Sequence, residues 1–213
     1  MSTNALKAQG MTLHISTGNG VAKNITAITK AFRAEITSNA HGLAKGDRVT
    51  FAAVGGMTEL NGLTGVIVDT GLNTFVVDID TRAFTTYTSG GTATGVTWTK
   101  VNECKDISAG GASVNEIDVT DLDSTGKEFF PGLADNGDLT LEINYLPSDA
   151  GQAAIRTAFE ASEIKDYKVT SPQGTTYTFE ALVKNFPTIP KASVDGVQSG
   201  SISFKISGSV TKA

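Results

Sequence analysis

Apolar and polar positions alternate most clearly between Asp138 and Phe186. Leu139, Leu141, Ile143 and Tyr145 are interleaved with Thr140, Glu142 and Asn144, the period-two pattern of a half-buried strand. Pro147 ends that strand. Asp149 is placed to cap a helix, with Gln152 three residues on as its capping-box partner. Ile155, Ala158 and Phe159 then recur at helical spacing, which predicts one helix over about 149–162 with a single apolar stripe. Ile164 to Thr170 and Thr175 to Lys184 return as strands, joined by the turn signal Pro172-Gln173-Gly174. Tyr177, Phe179, Ala181 and Val183 share one face of the second. The run Val197 to Val210 sets Ile202, Phe204, Ile206 and Val210 on one face and Ser199, Ser201, Ser203, Lys205, Ser207 and Ser209 on the other. That hydroxyl-rich face reads either as a plain solvent face or as the wall of a water-filled channel. A short strand, Met11 to Ser16, opens the pattern.

Between about Lys23 and Gly95 the character changes. Short strand-like runs (32–37, 48–54, 65–69 and 74–80) are separated by the turn pairs His41-Gly42, Gly55-Gly56, Asn61-Gly62 and Gly90-Gly91. This spacing predicts a small barrel or sandwich, with its own core from Ile36, Val49, Phe51, Val54, Leu60, Val66, Val68, Phe75, Val77 and Phe84. The expected organisation is an all-β domain inserted at 23–95 into a discontinuous host domain, 1–22 and 96–213, with glycine-rich joints. The fold class is therefore mostly β: a β-sandwich or rolled barrel with one helix, plus a small all-β insertion.

Composition narrows the chemistry. The chain has 213 residues with a net charge of −5, and a nucleic-acid-binding domain is normally basic. A single cysteine, Cys104, rules out an internal disulfide, so the disulfide-stapled secreted class is excluded. No apolar run approaches the ~18 residues of a membrane span, and residues 1–10 lack a signal-peptide core. The expected compartment is the cytoplasm of the producing cell, where the sequon Asn24-Ile25-Thr26 is idle. His14 lies on the face opposite Leu13 and Ile15, without a second histidine nearby. His41, Asp47 and Asp69 match no zinc or triad spacing and read as turn chemistry. Cys104 has no neighbouring base to activate it. Phosphate-loop, dinucleotide, serine-elbow, HExxH and CxxC motifs are absent from the sequence, so no enzyme, cofactor or metal site is expected.

Residues 116–138 carry seven acidic residues against one lysine, a local balance of −6. Asp121-x-Asp123-x-Thr125-Gly126 opens like an EF-hand loop, but the twelfth position is Gly132 and not the required glutamate. Leu122, Phe129, Phe130, Pro131 and Leu133 lie within this acidity. Two readings stand: a loop that docks on a partner, or one that folds back over the end of its own sandwich.

Four segments together resemble the tail tube proteins of lambda-like phages with long non-contractile tails. They are WTKVNECKDIS (98–108), VTDLDSTGKEFFPGLADNGDLTLEINYLPSDAGQAAI (119–155), KVTSPQGTTYTFEALVKNF (168–186) and SISFKISGSV (201–210). The segment 23–95 separately resembles the small β module of ubiquitin-activating enzymes, also found in phage tail proteins. It does so through His41-Gly42-Leu43, Gly46-Asp47-x-Val49, Gly55-Gly56-Met57, Glu59-Leu60-Asn61-Gly62 and Tyr87-Thr88-Ser89-Gly90-Gly91. That second resemblance implies a fold only. The first implies a virion subunit that forms six-membered rings stacked around a tape-measure protein, bounded by tail tip and tail terminator proteins. Phage DNA passes through the lumen without specific binding, and no membrane is involved. It also implies that Leu122, Phe129, Phe130, Pro131 and Leu133 form an inter-subunit or inter-ring contact loop. Ser201, Ser203, Lys205 and Ser207 are the expected channel-facing positions, and the insertion is expected to decorate the tube's outside. The alternative is a monomeric β-sandwich binding module, an adhesin or carbohydrate binder. Against it, the one Trp and four Tyr are scattered and build no aromatic platform.

Overall fold

The computed structural model describes residues 8–213; the first seven residues of the expected host segment 1–22 lie outside the described part. In chain order the strands are β1 (Thr12–Asn19), β2 (Lys23–Asn24), β3 (Ala27–Ile28), β4 (Glu35–Thr37), β5 (Arg48–Ala52), β6 (Thr64–Thr70), β7 (Thr74–Val77) and β8 (Thr92–Val101). There follow β9 (Cys104–Ala109), β10 (Ser113–Asp118), β11 (Phe129–Asp135), β12 (Asp138–Asn144), helix α1 (Ala150–Glu160), β13 (Ile164–Thr170), β14 (Thr176–Asn185) and β15 (Ser199–Lys212). The chain is mostly β, with antiparallel pairing and this one α-helix among the described residues. The strands are consistent with a sandwich and do not close into a barrel, because β3 and β9 are left as edges.

The chain divides into two compact units. One comprises residues through Asn102 with 166–179 and 210–213; the other comprises 103–165 and 180–209. In the first unit the strand order runs β3-β4-β7-β6-β5-β8-β1-β13, with β2 on β8. Strand β8 passes through Gly95 without a break, pairing with β5 along 92–95 and with β1 along 96–101. The core under β3–β8 is built from Ile25, Ile36, Val49, Phe51, Val54, Met57, Leu60, Phe75 and Val77, with Phe84 packed at its margin. From β6 this core takes Ile67, whereas Val66 and Val68 are buried on the strand's other face. Strand β6 is covered on both faces and bulges between Ile67 and Asp69, so alternation alone does not tell which side faces this core. Further along the sheet, Leu13 stands in register with Val101 and Val169, Ile15 with Tyr167, and the Tyr167 and Phe179 rings stack at 6.0 Å.

In the second unit β15, β12 and β9 are neighbours in that order. Leu139, Leu141 and Ile143 of β12 and Ile202 and Phe204 of β15 are buried, as the alternation requires. Helix α1 starts where Asp149 accepts the Gln152 backbone N–H at 2.8 Å. The Gln152 side chain reaches back to accept from Leu146 N–H and to donate to the Asn144 carbonyl, tying the helix entry to the end of β12. Ile155 and Ala158 are buried, and Phe159 stacks on Phe186 at 6.4 Å.

Candidate functional site

Residues 113–135 form a two-stranded antiparallel arm where a loop was expected. Asp118 pairs with Phe129, Ile117 with Phe130 and Glu116 with Pro131; after a bulge Val114 pairs with Ala134. Pro131 is tolerated because each strand of a two-stranded ribbon keeps one open edge, where a missing N–H costs nothing. The turn-forming residues of 119–136 hide these strands from a periodicity reading. At the tip Asp118 accepts from Thr120 N–H, Asp121 accepts from Asp123 N–H, and the Thr120 hydroxyl accepts from Glu128 N–H. These bonds shape the turn without burying anything apolar.

The arm carries the expected contact residues in the open. Leu122 is fully exposed, Leu133 is 90% exposed, Phe130 65% and Phe129 46%, and Pro131 is exposed as well. Val114 and Ile117 add to this surface. Lys127 lies 5.9 Å from the centre of the Phe129 ring, a cation–π contact. An isolated two-stranded hairpin is marginal in water, and large apolar groups exposed together occur at protein or membrane interaction sites, ligand grooves and aggregation-prone surfaces.

The root of the arm is clasped by charge. Asp135, the last residue of β11, receives Lys205 on both carboxylate oxygens at 2.6–2.7 Å. Lys205 also reaches Asp138 at 3.4 Å, and Lys184 reaches Asp138 at 3.1 Å. Hydrogen bonding from Lys205 holds the Asp135 carboxyl below its ordinary value, Lys184 does the same for Asp138, and Asp135 in turn raises Lys205.

On β15, Ser201, Ser203 and Lys205 share a face and oppose Glu142, Thr140 and Asp138 of β12. Glu142 also faces Asp106 of β9, and Thr140 faces Ser108. This face is polar and acidic, its lysines already engaged by carboxylates. Ser207 stands half-exposed further along.

The histidines and Asp47 hold structure. His41 is buried; its Nδ1 accepts from Leu43 N–H at 3.1 Å, leaving Nε2–H to donate to the Gly71 carbonyl at 3.1 Å. Asp69 accepts from Thr70 N–H, well apart in role from His41. Asp47 pairs with Lys168 at 2.7 Å, and Arg48 pairs with Asp166. Lys168 also lies 4.7 Å from the centre of the Trp98 ring. Neither ion pair was anticipated, since the partners are 121 and 118 residues apart. His14 stands in register between Lys100 and Lys168. Burial, then Lys168 and Lys100, lower its pKa. No cluster of metal-ligating residues occurs among the described residues, and no helix is long and apolar enough to cross a membrane.

Comparison with protein-family models gives two matches. The lambda phage tail tube protein family matches residues 82–208, more than half of the chain. The FCCH domain of ubiquitin-activating enzyme E1 is similar to residues 35–97. The two matches overlap across 82–97, the stretch that contains the start of β8. Comparison with curated proteins finds no match.

Proposed function

This chain belongs to the lambda phage tail tube protein family, a structural component of the virion tail, and on that premise we propose that it assembles with itself into stacked hexameric rings. The rings form a hollow tube through which phage DNA is ejected, built in the host cytoplasm around a tape-measure protein and closed by tip and terminator proteins. The observation that carries this reading is the arm, which displays Leu122, Phe129, Phe130, Pro131 and Leu133 to solvent. A monomeric binding module would have to hold that surface in water permanently, whereas a polymer covers it with the next copy.

Ser201, Ser203, Lys205 and Ser207 are proposed to line the channel. Small hydroxyls there carry no positive charge to hold phosphate, and the Asp135 and Asp138 carboxylates occupy Lys205. The acids Glu142 and Asp106 on the same face repel phosphate. The segments 1–22 and 96–213 are proposed as the tube-forming domain and 23–95 as an insertion decorating its outside. Sedimentation of the purified protein at rising concentration tests self-assembly. A sharp transition to a fast-sedimenting polymer above a threshold is expected. A single monomer boundary at every concentration, with tail initiator proteins present, would overturn it in favour of the binding module.

A further inference from the structure

Four carboxylates of the arm, Glu116, Asp121, Asp123 and Glu128, make no salt bridge among the described residues, while Asp118 has Lys127 and Asp135 has Lys205. Two arms brought together would set like charge against like. The surface that receives an arm is therefore not another arm, and the contact is heterologous, the type that propagates into rings and filaments. Its receptor needs unpaired cations beside exposed apolar surface.

The bend at 31–33 has that chemistry. Of the three exposed phenylalanines among the described residues, two are on the arm and the third is Phe32, 63% exposed. Lys30 and Arg33 flank it, both exposed and neither in a salt bridge among the described residues. Glu59, the acid that senses Lys30, is occupied by the N–H and hydroxyl of Thr85. The Arg82 guanidinium lies 5.3 Å from the centre of the Phe32 ring and is itself held by a two-point pair with Asp80. The bend is rigid. Buried Thr81 accepts from Ala31 N–H, donates its hydroxyl to the Thr29 carbonyl and donates its N–H to the Ala31 carbonyl. Ala34 bonds Ile79 and Val77. An aromatic ring held outward on a fixed backbone, backed by an arginine, has little ordering left to lose on binding, and aromatic and arginine side chains dominate interface energies.

We propose that the corner formed by Lys30, Phe32, Arg33 and Arg82 is an interaction surface for an acidic segment with an apolar tip. Its occupant is the 113–135 arm of a second copy of this chain. Lys30 and Arg33 answer the arm carboxylates that make no salt bridge, and Phe32 answers Leu122 and Phe130. This rests on the self-assembly reading above, and it makes the 23–95 insertion a contact between copies as well as a decoration of the tube's outside.

The test uses two single-cysteine proteins in a Cys104→Ser background, one with Ala83→Cys beside the corner and one with Thr125→Cys at the arm tip. They are mixed with a short bismaleimide, and tubes are viewed by electron microscopy in parallel. A heterodimeric cross-link is expected. Lys30→Glu with Arg33→Glu should reduce it about tenfold, the weight of ~1.4 kcal/mol. Adding Asp121→Lys with Asp123→Lys to the arm protein should restore it. Tubes without the cross-link would overturn this corner as the receptor and leave the tube reading intact. Loss of both would overturn the two together. Tubes without the cross-link, from a corner that still binds soluble polyglutamate, would assign the corner to another acidic partner and overturn the choice of the arm.

Discussion

Lys168 has 11% of its side chain exposed and meets Asp47, 13% exposed, on one side and the Trp98 ring on another. Truncating one member of such a pair leaves the other charge shielded from water without compensation. Lys168→Met should therefore cost about 3 kcal/mol in urea unfolding, and adding Asp47→Asn should recover much of that loss. His14 beside it gives a pH signature. Its folded pKa lies below the ordinary 6.5, so below that value the unfolded chain binds a proton the folded chain refuses. Stability should fall as pH drops from 6.5 towards the lowered value, and His14→Gln should flatten that limb of a pH series of melting curves. At this scale the sequence was partly legible. Leu139, Leu141 and Ile143 announce their burial through period two. His41 and its glycine announce a turn. The Asp47–Lys168 and Arg48–Asp166 pairs do not, because nothing local marks which distant residue a charge will meet.

Elements with a single buried face were the readable ones. Helix α1 follows from one apolar stripe and one capping aspartate, and β12 and β15 from clean alternation. The facing of β6, read as a strand at 65–69, and the strands of the arm escaped for opposite reasons. Strand β6 is buried on both faces, so its pattern does not say that Ile67 faces the module core. The arm strands β10 and β11 are exposed on both faces and carry turn formers, so their pattern resembles a loop. The arm's clasp adds a prediction of its own. The depressed Asp135 and Asp138 carboxyls stabilise the root above the ordinary carboxylate value of 3.8, and this is lost as pH falls through their lowered values. Amide exchange at 135–138 should quicken in acid relative to the β12 core, and Lys205→Met should produce the same quickening at neutral pH.

For the whole molecule, fold class came from composition and periodicity, whereas the role came from the tail tube resemblance, which the family match over 82–208 supports. On the proposed reading, the function lies in a surface that a second copy completes. Such a surface is written in the sequence as an anomaly: adjacent phenylalanines in an acidic, turn-rich segment. The account separates folding from assembly. Phe129 and Phe130 are exposed, so replacing both with alanine should shift urea stability by no more than about 0.5 kcal/mol each while removing the polymer contact.

The most direct measurement is negative-stain electron microscopy of concentrated wild-type protein beside Phe129→Ala, Phe130→Ala, with both folds checked by circular dichroism. Hollow tubes from the wild type and none from the folded variant are expected. Tubes of equal length and number from both would contradict the arm as the assembly contact, and monomers from the wild type with tail initiator proteins present would contradict the tube itself.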